Sequence, residues 1–112
     1  MKPVKILHCA DFHFDTPFRE LSGTIAERRK EDLRETFGRV VNIAKKERVD
    51  IMLLCGDLFD NQKVSPMTID YLIGKMGEIP KVRVFISPGN HDPYNEYSYY
   101  HLVKWPENIY IF

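Results

Sequence analysis

The stretch "VDIMLLCGDLFD", Val49 to Asp60, decides the fold. Its centre, "IMLLC", is an unbroken apolar run too short for a helix and ended by Gly56, after which two carboxylates follow, Asp57 and Asp60. A continuous rather than alternating run marks a parallel strand covered on both faces. Two other segments read the same way: "VKILHCA" (4 to 10) and, with slightly more alternation, "VRVFIS" (82 to 87). A helical pattern runs from about Ile25 to Arg48, with Leu33, Phe37, Val40, Val41 and Ala44 on one face and a capping box of Thr24 and Glu27 at its start. A second helix opens at Ser65 as N-cap with Pro66 in its first turn. It carries Ile69, Leu72, Ile73 and Met76 inward and stops near Gly77. With "NIYIF" (108 to 112) as a last strand, the order is βαβαβ-β with right-handed crossovers.

The whole chain sets the limits. At 112 residues it suits one domain with a core and is too short for two. Residues 1–112 are therefore read as one incomplete domain, because two helices are thin cover for a parallel sheet and one face must be buried elsewhere. Hydrophobic residues make up 44%, charged residues 29%, and the net charge is zero, which excludes a disordered chain and gives no support to broad nucleic-acid affinity, although a local basic patch fits within a zero total. No apolar run is long enough to cross a bilayer. His8, Asp11 and His13 interrupt what would otherwise be a leader, so the expected location is the cytoplasm and no membrane partner is expected. The only cysteines, Cys9 and Cys55, lie inside apolar runs and read as buried thiols that could neighbour each other across adjacent strands.

Chemistry gathers where the strands end. Open α/β sheets bind ligands beyond the carboxyl ends of their strands. After the first strand comes "DFH", Asp11 and His13; after the second "GDLFD", Asp57 and Asp60; after the third "GNHD", Asn90, His91 and Asp92. Residues two apart in an extended segment share a side, so Asp11 and His13 can grip one cation. Each motif alone is a common turn or local hydrogen bond. Three of them at three successive strand ends make one crevice of carboxylate, imidazole and amide oxygen, a donor set for a manganese, iron or zinc ion.

In this order and spacing the three motifs resemble the first three signature motifs of the calcineurin-like metallophosphoesterases. The wording "ADFHFDTPF", the "RR" with its long helix, "DIMLLCGDLFDN" and "SPGNHDP" look most like the DNA-repair exonuclease branch, the SbcD-type nucleases. The resemblance implies the amino-terminal half of a four-layer α/β/β/α sandwich. It implies two divalent ions, manganese first and iron or zinc next, with Asp11 and His13 on one, Asp57 bridging, and Asn90 on the other. His91 would be the general acid, oriented by Asp60, in a phosphodiester hydrolysis by metal-activated water. It also implies DNA as substrate and an ATPase subunit as partner, while a homodimer is a further way to bury the open sheet face. Asn61 and Asp92 stand where the protein phosphatases of the superfamily have Arg and Glu, which argues against a phosphoserine substrate. Phe14 and Asp15 replace the Leu-Gly of many branch nucleases; Asp15 reads first as a cap for the turn towards Pro17, and otherwise as an extra or supporting carboxylate. The family's later histidine motifs do not occur among His8, His13, His91 and His101. Two other readings therefore stand beside the exonuclease: a small-molecule or cyclic-nucleotide phosphoesterase, and an inactive fragment or assembly module.

Two weaker features complete the reading. "ERRK" (27 to 30) is either a contact for a phosphate backbone or the solvated, ion-paired face of a helix. Tyr94, Tyr97, Tyr99 and Tyr100 are expected to pack rather than to stack on bases.

Overall fold

The computed structural model describes residues 3–10, 12, 14, 23–56, 58, 65–89, 100 and 103–112. They form β1 (Ile6–Ala10), α1 (Gly23–Glu47), β2 (Ile51–Cys55), α2 (Pro66–Gly77), β3 (Arg83–Ser87) and β4 (Ile109–Ile111). The four strands make one sheet in the order β1-β2-β3-β4, with every pairing parallel. A sheet that adds each strand on the same side, through crossovers of one hand, puts both helices on one face. The core lies there: Met52, Leu54, Val84 and Ile86 meet Phe37, Val41 and Ala44 of α1 and Ile69, Leu72 and Met76 of α2. This is the α/β arrangement that the resemblance implies for the amino-terminal half of the sandwich.

Local chemistry sets the ends of the elements. Ser65 is the N-cap of α2: its Oγ accepts the Thr68 backbone N–H at 3.2 Å, and Pro66 follows in the first turn. Such a cap contributes about 1 kcal/mol. α1 begins at Gly23, so Thr24 lies inside the first turn and is not the N-cap, which corrects the capping-box expectation. Periodicity located this helix but not its first residue, because a threonine one position inside a helix looks the same in sequence as one that caps it. At the other end the chain turns through Arg48 with φ 51°, while Arg48 N donates to Lys45 O and Val49 N to Ala44 O. That pair of bonds is a Schellman closure, in which glycine is the usual occupant. Gly77 is the last residue of α2, with Glu78 as a right-handed C-cap.

Side chains tie the layers together. Asn108 Nδ2 donates to Val82 O at 3.0 Å and to Ile79 O at 3.1 Å, which fixes the chain between α2 and β3 against the start of β4. Lys5 N donates to Asp50 Oδ2 at 2.9 Å, and its Nζ to Glu47 O at 3.0 Å, joining the approach to β1 to the end of α1. Tyr100 is buried and stacks on Trp105 at 6.4 Å, the packing role expected of it. Tyr94, Tyr97 and Tyr99 lie outside the described residues.

The second face of the sheet is covered by no element among the described residues. Ile6 is 56% exposed and Phe112 75% exposed, and Phe85 stacks on Tyr110 at 5.2 Å and Phe112 at 6.0 Å.

Candidate metal centre at the carboxyl edge of the sheet

The last residues of the first three strands stand in one row. Ala10 pairs with Cys55, and Cys55 with Ser87. Neighbouring strands lie about 4.8 Å apart, so the row from β1 to β3 is about 10 Å long. The chain continues from Ala10 into "DFH", from Cys55 through Gly56 into "DLFD", and from Ser87 through Pro88 and Gly89 into "NHD". The three motifs therefore leave the sheet from one edge, in one register.

Hydrogen bonds and aromatic packing join these exits. Gly56 N donates to Ser87 O at 2.7 Å, extending the β2–β3 ladder by one residue before the chain turns at Gly56 with φ 73°. A Cβ built at Gly56 would stand 4.0 Å from the Gly89 Cα, so the turns after β2 and β3 face each other as glycine against glycine. The space itself would accept a methyl group. What demands glycine is the positive φ, which costs an L-residue roughly 1 kcal/mol. Phe14 N donates to Leu58 O at 2.9 Å, binding the first motif to the second. The Phe12 and Phe14 rings stack at 5.2 Å, and both meet the Phe37 ring of α1 edge-on, at 5.6 and 5.8 Å. Phe14 is 1% exposed, so its departure from the branch pattern is a packing choice that anchors this segment on α1.

Asp11, His13, Asp57, Asp60, Asn90 and His91 lie outside the described residues, as do Asp15, Asn61 and Asp92. Among the described residues no group of three His, Cys, Asp or Glu side chains could hold a metal ion. His8 belongs to the middle of β1 beside Leu53, away from the edge. What the structure brings together is the frame on which the motifs hang: one row of strand ends, a glycine turn and a Phe14–Leu58 clasp. By their chemistry alone, the two carboxylates, imidazole and amide oxygen of the motifs that follow these strand ends are a donor set for a divalent cation that prefers oxygen and nitrogen.

The thiols do not join that donor set. Cys9 pairs with Leu54 and packs on the core with the helices, whereas Cys55 pairs with Ala10, one step along and so on the opposite face. They neighbour each other in the strands, yet their side chains diverge, and a disulfide would need the backbone to move. Burial pushes the Cys9 thiol up from its ordinary value, and the nearby Cys55 adds to the rise. A protonated thiol is a poor metal ligand.

Sequence reasoning missed a polar cluster beside this edge. Arg34, 9% exposed, donates from Nη1 to Thr68 Oγ1 at 3.1 Å, and Thr68 Oγ1 lies 3.0 Å from the Ser65 Oγ that caps α2. The signal was present: Arg34 occupies the apolar stripe of α1, three residues before Phe37. A cation in that stripe needs a buried acceptor.

The family model for calcineurin-like phosphoesterases matches residues 4–111. The chain belongs to the calcineurin-like phosphoesterase family. Members of that family generally use divalent metals. Among curated relatives, the chain is 32% identical to the uncharacterized metallophosphoesterase YhaO of Bacillus subtilis, over 95% of the chain and 27% of the relative. It is 34% identical to the DNA double-strand break repair protein Mre11 of Saccharolobus solfataricus, over 90% of the chain and 28% of the relative. It is 25% identical to the Mre11 of Methanopyrus kandleri, over 80% of the chain and 19% of the relative. The chain thus spans less than a third of the length of these relatives. No helix among the described residues is long and apolar enough to cross a membrane.

Proposed function

We propose that the chain carries the first half of the active site of a cytoplasmic, metal-dependent phosphodiesterase whose substrate is DNA, a repair exonuclease. What supports this above all is the shared row Ala10–Cys55–Ser87, from which all three metal-binding motifs continue. The family membership and the two repair proteins among its relatives favour DNA over a small ester.

In this proposal Asp11 and His13 would hold one divalent ion, Asn90 would hold another, and Asp57 would serve both, with manganese the preferred metal. When bound, the ions supply an acidic water and neutralise charge on the non-bridging phosphate oxygens. The protein's own work is positional and protolytic. Gly56 lets the chain turn sharply enough after β2 to bring Asp57 to the edge. His91 gives its ring proton to the leaving oxygen as the phosphorus–oxygen bond breaks. Asp60 accepts the hydrogen bond of the other ring nitrogen, which fixes the imidazole and raises its pKa towards that of a working acid. An ATPase subunit, or a second copy on the open sheet face, is the partner this reading calls for.

The test is hydrolysis of linear duplex DNA and of bis(p-nitrophenyl) phosphate by the complete gene product with manganese, alongside metal analysis. Asp57→Asn is expected to lose bound metal and turnover together. His91→Asn should keep its metal and lose roughly 10²- to 10⁴-fold in turnover, the usual contribution of a positioned acid. The 112-residue chain alone should be a poor catalyst, since only Asp57 and Asn90 serve its second ion. Cleavage of the aryl ester with none of DNA would select the small-molecule phosphoesterase instead. A protein that binds no metal would be an assembly module.

A further inference from the structure

We infer that the amino-terminal turns of α1 form a rail for the nucleic-acid strand beside the scissile phosphate, with Arg29 and Lys30 as its phosphate contacts. This rests on the nuclease reading above and assigns residues outside its motifs.

The geometry comes from where α1 meets its neighbours. α1 and α2 run side by side in the same direction: Arg34 meets Thr68, the site of Gly38 faces Tyr71, and Lys45 is bonded to Glu78. The first of these contacts is made at Arg34, so the eleven residues from Gly23 to Leu33 precede it, about 16 Å of helix at 1.5 Å per residue. The level of the sheet edge is marked by Phe37, whose ring meets Phe12 and Phe14 directly after β1. Lys30 and Arg29 stand seven and eight residues before Phe37, so about 10 and 12 Å beyond that edge. At 3.4 Å per nucleotide along one strand, this is roughly three nucleotides from the crevice.

The side-chain pattern gives the overhang its chemistry. The inward stripe of α1 reads Lys30, Arg34, Phe37, Val41, Ala44, spaced four, three, four, three, and it changes from apolar to cationic where the helix passes the sheet edge. Exposure rises along it: Arg34 is buried, the Lys30 side chain is 24% exposed, and Arg29, on the flank four residues before Leu33, is exposed. An ion-paired, solvated helix face would leave these cations occupied. Among the described residues Lys30 has only a 3.5 Å contact with Glu27, a long i,i+3 pair of the weak kind, and Arg29 makes no ion pair. One weakly paired cation on the inward stripe and one exposed cation on its flank, in a chain with zero net charge, make a local polyanion contact, not a general one.

The experiment compares two charge-reversed doubles on the same helix in the complete gene product. R29E/K30E changes the overhang. R39E/K46E makes the same change in charge on the exposed side of the helix beneath the sheet edge. Affinity for a linear duplex is measured without metal across a salt series, with aryl-diester hydrolysis as the check on fold and active site. R29E/K30E should bind DNA at least about tenfold more weakly at low salt, with the slope of log K against log salt smaller by about 2, and hydrolyse the aryl ester as the parent does. R39E/K46E should stay within about twofold of the parent on DNA. If R29E/K30E loses aryl-ester activity, the milder R29Q/K30Q decides by the same slope. A wild-type slope in the overhang variant, or an equal loss in both doubles, overturns the inference while leaving the nuclease reading intact. A parent protein that hydrolyses the aryl ester but neither binds nor cuts DNA overturns both.

Discussion

Two residues in the left-handed region show how differently a positive φ can be used. Arg48, at φ 51°, closes α1 where glycine is common, and its side chain plays no part in the closing bonds. Gly56, at φ 73°, turns the chain between the end of β2 and Asp57, in register with Ser87. The expected outcomes diverge accordingly. Arg48→Gly should be neutral or stabilise by up to about 1 kcal/mol, since relief of strain opposes the added chain entropy. Gly56→Ala should destabilise by about 1 kcal/mol and also weaken metal binding, because relaxing φ re-aims everything after it. Denaturant midpoints for both variants, with metal titration of Gly56→Ala, check the pair; an unchanged metal affinity would remove Gly56 from the site.

At the scale of elements, the two helices are held together near their carboxyl ends by Glu78, which accepts from Lys45 and is paired with Lys75 at 3.4 Å. The hydrogen bond from Lys45 first, and that from Lys75 second, hold the Glu78 carboxyl below its ordinary value. A carboxylate with a lowered folded pKa adds stability that is present above the unfolded pKa, near 4.5 for this group, and is lost as the pH falls through the folded value. Glu78→Gln should therefore melt slightly below the parent at neutral pH and converge with it as the pH falls through the folded value, by circular dichroism; a gap that does not close on acidification would mean that the carboxylate charge contributes nothing. The pairing of Lys45 with Glu78, 33 residues apart, could not be read from the sequence. The helices themselves could, because their apolar spacing is local.

Among the described residues the molecule is a sheet with one dressed face. Met52, Leu54, Val84 and Ile86 are buried under the helices, while Ile6, Tyr110 and Phe112 remain exposed on the other side. A contiguous apolar surface of this kind binds hydrophobic probes. The 112-residue chain should enhance the emission of anilinonaphthalene sulfonate, and Tyr110→Thr with Phe112→Thr should reduce that emission without lowering the melting temperature; emission equal to the parent's would mean that this face is not the exposed one. The sequence by itself determined the element order, the parallel strands and the three motifs, because continuous apolar runs, helical spacing and Gly-Asp or Gly-Asn punctuation are written in neighbouring residues. It also showed that so few helices leave a face to cover. Only the tertiary structure decided that Ala10, Cys55 and Ser87 share one row, that Cys9 and Cys55 face apart, and that Arg34 reaches Thr68. It alone showed, too, that α1 runs on past the sheet edge with cations on its inward stripe. Those facts depend on register and on the relative placement of distant segments, and packing sets both, since sliding a strand by one residue exchanges its faces while leaving its composition unchanged.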